Sequence, residues 1–107
     1  MDRPTPRVNA SRLASYPEGK IVRLIGKVIS LDGDAAIVEA SDGGQITVKL
    51  GSMSDVSATF IEVVGKITGN NSMSELSSLN LGESIDMVAV DKVVELTHAY
   101  PDVYPVE

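Results

Sequence analysis

The fold is decided by "KIVRLIGKVISLDGDAAIVEASDGGQITVKL", residues 20–50 of the chain. Runs rich in Ile and Val alternate there with two short polar breaks, "DGD" at 32–34 and "SDGG" at 41–44. Breaks of this kind between apolar runs are tight-turn signals that join antiparallel strands. The stretch therefore predicts three consecutive strands connected as a meander.

Two more strands are predicted beyond a small polar loop, "GSMSDVSA", at residues 51–58. They are "TFIEVVGKITG" at 59–69 and "ELSSLNL" at 75–81. Alternation of apolar and polar residues places Ile61, Val63 and Ile67 on one side of the first. In the second, Leu79 and Leu81 are the expected inward residues.

An internal similarity links the first and fourth predicted strands, which contain "LIGKV" at 24–28 and "VVGKI" at 63–67. A glycine in mid-strand indicates a bulge or the bend at which a strand turns a barrel corner. Five strands with bends in the first and fourth predict a mainly β, five-stranded Greek-key barrel of the OB type with a C-terminal α-helix. An open five-stranded sheet and an SH3-like barrel are the alternatives.

The predicted organisation is a single domain, since 107 residues supply one modest core. Residues 1–16 form an arm and a short helix capped by Asn9, and residues 17–83 form the barrel. Residues 84–100 form the C-terminal helix, and residues 101–107 form a tail after Pro101, which stops the helix.

The predicted helix, "IDMVAVDKVVELTHAYP" at 85–101 with Asp86 as its N-cap, has more apolar residues than one packed face can use. At about 100° per residue they form two stripes roughly 140° apart, and a charged edge of Asp91, Lys92 and Glu95 separates them on one side. The first stripe is Met87, Val90 and Val94. The second is Ile85, Ala89, Val93, Leu96 and Tyr100.

A barrel of about 65 residues can cover one side of such a helix and has little material for the other. A soluble monomer rarely leaves a large apolar patch exposed, so we expect one stripe to contact the barrel and the other to contact a partner. Both stripes are candidate interface residues, because the sequence does not decide between them. The alternatives are that the domain buries both stripes, or that the helix forms a homo-oligomer.

The charge balance argues against a chain that binds nucleic acid strongly by itself. The net charge is -6 with an isoelectric point near 4.6, and aromatic residues are 4% of the chain. Strong binding of single strands usually combines a basic groove with stacking rings. Arg23, Lys27 and Lys66 are candidates for weak contact with phosphates, with solvated strand faces as the simpler interpretation.

The sequence offers no constellation typical of catalysis, a metal site or a cofactor. His98 is the sole histidine and there is no cysteine. At the helix end His98 is expected to interact with the dipole or with a partner. Asp32 and Asp34 lack the rest of a calcium loop, and the residues at 42–44 lack the helix and lysine of a phosphate-binding loop. We therefore predict a non-enzymatic, cofactor-free protein without a membrane span, in a cytosolic or nuclear setting.

Four stretches together resemble the small (third) subunit family of replication protein A, the eukaryotic heterotrimer that coats single-stranded DNA. They are "PRVNASRL", "VRLIGKV", "IEVVGKI" and "HAYPDVYP", spread over nearly the whole chain. None is diagnostic alone, but their order and spacing together are fairly specific.

The resemblance implies an OB fold whose C-terminal helix joins one helix from each of the two larger subunits in a three-helix bundle. It also implies action in DNA replication, repair and recombination in the nucleus, with most DNA affinity in the larger subunits. No residue-level DNA contacts are implied. The alternative is a stand-alone OB module that binds single-stranded nucleic acid or an oligosaccharide directly.

Overall fold

The chain folds as a β-barrel with one short and one longer helix in a computed structural model that describes residues 5–52 and 54–100. The elements in chain order are β1 (Arg7–Val8), α1 (Ala10–Ser15), β2 (Ile21–Asp32), β3 (Ala35–Ala40), β4 (Gln45–Lys49), β5 (Phe60–Gly69), β6 (Ser72–Gly82) and α2 (Met87–Ala99). The described residues between β4 and β5, 50–52 and 54–59, form a loop, as predicted.

Strand pairing closes the sheet into a barrel. The order is β1-β2-β3-β4-β6-β5, and β5 returns to pair with β2. The first half of β2 pairs with β5 and its second half with β3, so the long strand belongs to both sides of the barrel. β4 and β6 run parallel, whereas the other pairs among β2–β6 are antiparallel. These five strands confirm the predicted OB-type barrel.

The N-terminal arm contributes a sixth strand that the sequence did not indicate. β1 pairs in parallel with β2, and the Arg23 amide donates a hydrogen bond of 2.8 Å to the Pro6 carbonyl. Asn9 then caps α1 as predicted, because its side chain accepts from the Arg12 amide at 2.9 Å. Asp42, in the turn between β3 and β4, accepts from the amides of Ala10 and Ser11 and adds a second cap.

The barrel interior is one contiguous apolar cluster. Every long strand contributes alternate residues to it. Its members are Val8, Leu13, Val22, Leu24, Ala36, Val38, Ala40, Ile46, Val48, Ile61, Val63, Ile67 and Met73. Alternation places these side chains on one face of each strand. α1 supplies Leu13, so this short helix belongs to the barrel core.

The two mid-strand glycines lie where neighbouring backbone leaves no room for a side chain. A Cβ at Gly26 would lie 2.7 Å from the Glu39 carbonyl oxygen, and one at Gly65 would collide with the Ser74 carbonyl oxygen. The register between β5 and β6 shifts between Val64 and Gly65, so a bulge does occur beside Gly65, but its extra residue is on β6 and not in the predicted fourth strand.

This bulge also explains why one core prediction was wrong. Gly65 lies opposite Glu75 while Val64 lies opposite Ser77, so Leu76 is the extra residue on β6. One extra residue turns the following side chains to the opposite face. Leu79 therefore points outward and is 59% exposed, and β6 fills the core through Met73 instead.

Candidate assembly interface

α2 begins and ends on defined capping contacts. The Asp86 side chain accepts from the Ala89 amide at 3.1 Å, as the sequence predicted for an N-cap. At the other end the Tyr100 amide donates to the Leu96 carbonyl at 3.1 Å. The predicted stop at Pro101 and the tail lie outside the described residues.

The two apolar stripes of α2 have different environments. Val94 is only 1% exposed, and Met87 and Val90 are half-buried, so the first stripe turns toward the rest of the domain. The second stripe is exposed on the opposite side. Its large residues are Val93 at 46%, Leu96 at 42% and Tyr100 at 57%, and Ala89 is exposed beside them. We call Ala89, Val93, Leu96 and Tyr100 the outward face.

Polar contacts hold much of the inner side of α2. Asp91 accepts from the Asn9 side-chain amide and the Ser41 hydroxyl, both at 2.8 Å. Glu95 accepts from the same Asn9 amide at 2.9 Å and from Arg12 at 2.7 Å and 3.2 Å. We call Asn9, Arg12, Ser41, Asp91 and Glu95 the polar clamp. Its acids are two members of the predicted charged edge, which therefore contacts the domain rather than solvent alone.

Asn9 is the centre of the polar clamp. It is 2% exposed, and its side-chain oxygen caps α1 while its side-chain nitrogen donates to both acids of α2. A buried amide without partners would be costly, and here both of its polar atoms are satisfied. The residue that starts α1 thus also positions α2.

The hydrogen bonds of the polar clamp change the acidity of its charged groups. The hydrogen bond from Arg12 lowers the pKa of Glu95, and the one from Asn9 lowers it further. The same contact with Glu95 raises the pKa of Arg12. Bonds that favour the charged forms explain both directions. Both side chains are partly exposed, so each contact contributes modestly to stability.

His98 packs inside the domain. Its Nδ1 lies 2.8 Å from the Val94 carbonyl oxygen, and its Nε2 lies 3.0 Å from the Tyr16 hydroxyl. A carbonyl can only accept, so Nδ1 donates to Val94, and Nε2 shares a hydrogen bond with the Tyr16 hydroxyl. The rings meet edge to face at 5.9 Å between centroids. His98 therefore links the end of α2 to the end of α1.

A groove adjoins the outward face where α2 passes the barrel. It has a volume of about 330 Å³ and is lined by Arg7, Ile25, Ala89, Val90 and Val93. Ala89 and Val93 belong to both the groove and the outward face, so the apolar surface continues from the helix onto β2. Arg7 at its rim is paired with Glu62 at 3.2 Å.

The usual oligonucleotide face of an OB barrel corresponds here to β3 and β4. Its outer side chains include Glu39, Gln45, Thr47 and Lys49, and these two strands contain no aromatic residue. A strand of nucleic acid would find no stacking platform on them.

The three candidate phosphate contacts lie on β2 and β5. Lys27 is exposed and lies opposite Glu39 across the strand pair. Lys66 is exposed opposite Ile21, and Arg23 is half-buried with its Nε lacking a hydrogen-bond partner. All three lie on the same face of the β2–β5 pair, spread along its length, and Phe60 lies opposite Lys27.

Within residues 5–52 and 54–100, no group of three or more His, Asp or Glu side chains is arranged to hold a metal ion. Among the described helices, none has the length and apolar character required to cross a bilayer.

Sequence reasoning missed Asn9, Arg12 and Ser41 as contacts of α2. A signal for two of them exists in retrospect. Asn9 and Arg12 are three apart at the start of α1, and Asp91 and Glu95 are four apart on α2. Each spacing places its pair on one side of a helix, and the two pairs have complementary chemistry. Nothing local indicated that these helices meet.

The fold and the uncovered helix face define a single-domain OB-fold protein with an appended C-terminal helix. A family model described as Replication factor A protein 3 matches residues 1–104. A Schizosaccharomyces pombe protein, "Replication factor A protein 3", is 30% identical over 104 residues, covering 97% of this chain and 98% of the relative. The chain belongs to the Replication factor A protein 3 family.

Solved structures agree with this assignment. A chain in the structure of U. maydis replication protein A bound to single-stranded DNA is 33% identical with a TM-score of 0.90, covering 97% of this chain and 98% of that one. A chain of yeast replication protein A bound to single-stranded DNA superposes with a TM-score of 0.70 at 18% identity, covering 97% and 100%. The second likeness shows the fold alone.

Proposed function

We propose that the outward face of α2 joins this chain to the two larger subunits of replication protein A. The chain is a small subunit of that single-stranded-DNA-binding complex, as its family and the U. maydis structure support. The observation that carries the proposed interface is the exposure of Val93, Leu96 and Tyr100 on one side of a capped helix.

The energetics favour contact with more than one partner helix. Burial of a large apolar side chain contributes roughly 1.5–3 kcal/mol. Association costs about 4–15 kcal/mol, so the three large residues of the outward face barely offset it in a two-helix contact. A three-helix bundle also covers the groove beside Val93, which adds apolar area.

The proposed role is assembly by binding, without catalysis. DNA is held mainly by the larger subunits, because the β3–β4 face offers no ring for stacking and its one lysine is balanced by Glu39. Arg23, Lys27 and Lys66 contribute weak, sequence-independent phosphate contacts within the complex. A replication factor acts where chromosomal DNA is copied, so the proposal locates the chain in the nucleus. The predicted barrel, residues 17–83, carries the assembly helix, and Val8 and Leu13 from the N-terminal segment complete its core.

The test is co-expression with both larger subunits. The double variant Val93→Asp/Leu96→Asp places carboxylates on the outward face, and we expect it to lose co-purification while the free chain keeps its melting temperature. Leu79→Asp is the control, since Leu79 is as exposed but lies on the barrel. The proposal is contradicted if the double variant co-purifies with the larger subunits as well as the control does.

Two further measurements address the alternatives. Light scattering of the free chain detects a homo-oligomer formed through the same face. A salt-titrated binding assay with single-stranded DNA is expected to give little affinity for the free chain. Tight binding instead favours a stand-alone OB module.

A further inference from the structure

A second exposed surface with several large apolar residues lies on the barrel around the loop between β4 and β5. Two adjoining depressions share Gly51 and Ser54. One, of about 390 Å³, is lined by Leu31, Leu50 and Val56, and the other, of about 240 Å³, is lined by Leu76. We call the pair the loop depression. Its combined size lies in the range of sites that hold a short segment of ligand.

The loop depression lies at the opposite end of the β3–β4 hairpin from α2. α2 contacts Ser41, which follows β3, whereas the loop depression includes Asp34, which precedes β3, and Leu50, which follows β4. The surface is thus separate from the outward face. A protein bound at either surface need not compete with one bound at the other.

The apolar residues of the loop depression differ in exposure. Leu31 and Leu76 are each more than half exposed, and Leu50 and Val56 are half-buried between them and the core. Single exposed leucines are ordinary on protein surfaces. Two of them at the edge of adjoining concavities provide an anchor site for an apolar side chain.

Hydrogen bonds from β6 fix the loop in this shape. Glu75 accepts from the Gly51 amide at 2.8 Å and from the Ser54 hydroxyl at 3.0 Å. Asn80 accepts from the amides of Ser57 and Ala58 and donates to the Asp55 carbonyl at 3.2 Å. A preformed depression requires little ordering when a ligand binds.

The charges around the loop depression determine which occupant fits. Asp34, Asp55 and Glu75 line it, Asp32 is two residues from Asp34, and no lysine or arginine among the described residues lines either part. Lys49 lies next to Leu50 on the outer face of β4 and partly offsets these acids. The acidic rim repels a phosphate backbone and attracts cations.

We propose that the loop depression binds a segment of a partner protein in which a large apolar side chain is flanked by Lys or Arg residues. The apolar side chain occupies the space between Leu31 and Leu76. The flanking cations contact the carboxylates of Asp34 and Asp55. This second docking surface does not depend on the proposed role of α2.

The test uses the isotope-labelled full chain and a synthetic peptide in which Leu and Phe are flanked by Lys. Amide chemical shifts are expected to move at Gly51, Ser54 and Leu76 and to stay fixed on α2. Leu31→Ser/Leu76→Ser and Asp34→Lys/Asp55→Lys are each expected to weaken binding about tenfold. Ile21→Ser and Glu18→Lys are the matched controls, since both residues are exposed on other parts of the surface.

Two negative controls are the same peptide with Glu in place of Lys and a short oligothymidylate. Neither is expected to change the chemical shifts of these amides. Four outcomes overturn the proposal: shifts confined to α2, equal binding by the two double variants and the controls, equal binding of the acidic peptide, or binding of the oligothymidylate at Gly51 and Ser54. None of these four outcomes depends on whether the chain co-purifies with the larger subunits, so this test and the test of α2 can fail separately.

Discussion

The barrel interior and the inner side of α2 are both buried surfaces of one small domain, but different interactions hold them. The interior is a contiguous apolar cluster to which every strand contributes. On α2 only Val94 is fully buried among the described residues, and it lies outside that cluster. The polar clamp supplies most of the specific contacts instead.

The difference indicates how the domain divides its stability. Apolar burial contributes roughly 1.5–3 kcal/mol per large side chain, so the barrel is stable through its own core. A partly exposed ion pair contributes about 0.2–1 kcal/mol, so the polar clamp orients α2 more than it anchors it. The helix is therefore held in position with its outward face uncovered, which suits an element that gains its main contacts from partners.

The largest expected effect is a loss of folding stability on truncating a buried side chain of the barrel. Ile61→Ala removes a fully buried side chain from the contiguous core, and we expect it to lower the free energy of unfolding by about 2–5 kcal/mol. Leu79→Ala, on the exposed face of the neighbouring strand, is the control and is expected to change it by less than about 0.5 kcal/mol. Urea unfolding followed by circular dichroism measures both, and similar losses would show that the barrel is not the source of stability.

A smaller loss of stability is expected where two strands of the barrel approach closely. Gly65→Ala forces a Cβ against the Met73 methyl carbon and the backbone of Ser74, and we expect a loss of about 1–3 kcal/mol. Gly51→Ala is the matched control, because its Cβ would meet its nearest atom, of Glu75, at an ordinary 3.6 Å. A Gly65→Ala variant as stable as the control would contradict the packing at the bulge.

The smallest effect concerns the polar clamp and depends on pH. Because the folded state lowers the pKa of Glu95, this carboxylate stabilises the fold above the ordinary glutamate range. That contribution is lost as pH falls through the lowered folded value. Arg12→Ala removes the main cause of the lowered pKa of Glu95. We expect it to reduce the free energy of unfolding by no more than about 1 kcal/mol at neutral pH, and to make stability depend less on pH in the acidic range.

Chemical denaturation of the unaltered chain and of Arg12→Ala across the acidic pH range measures the difference in their stability. Lys92→Ala is the control, since Lys92 is exposed on α2 outside the polar clamp. An unchanged acid profile in Arg12→Ala would show that the ion pair does not couple α2 to the barrel.

The sequence predicted what depends on local chemistry. Asn9 and Asp86 were identified as helix caps because a side-chain oxygen before an apolar run satisfies free amides. The glycines at 26 and 65 indicated bends, and helical periodicity separated two stripes on α2. The family resemblance was confirmed by the match over residues 1–104.

The sequence could not predict what depends on long-range register. The bulge at Leu76 reverses the alternation of β6, so Leu79 points away from the core that simple periodicity assigned to it. The contact of Asn9 with α2 joins residues 82 and 86 positions apart. No local pattern indicates which stripe of a helix meets a surface that forms only when distant segments come together.

Hydrogen–deuterium exchange of the free chain and of the chain assembled with both larger subunits shows whether α2 needs its partners to be protected. Amides of β2, β5 and the rest of the barrel are expected to be equally protected in both states, whereas amides of α2 are expected to exchange quickly in the free chain and slowly after assembly. Equal and strong protection of α2 in both states would contradict this expectation, because the helix would then need no partner to be stably buried.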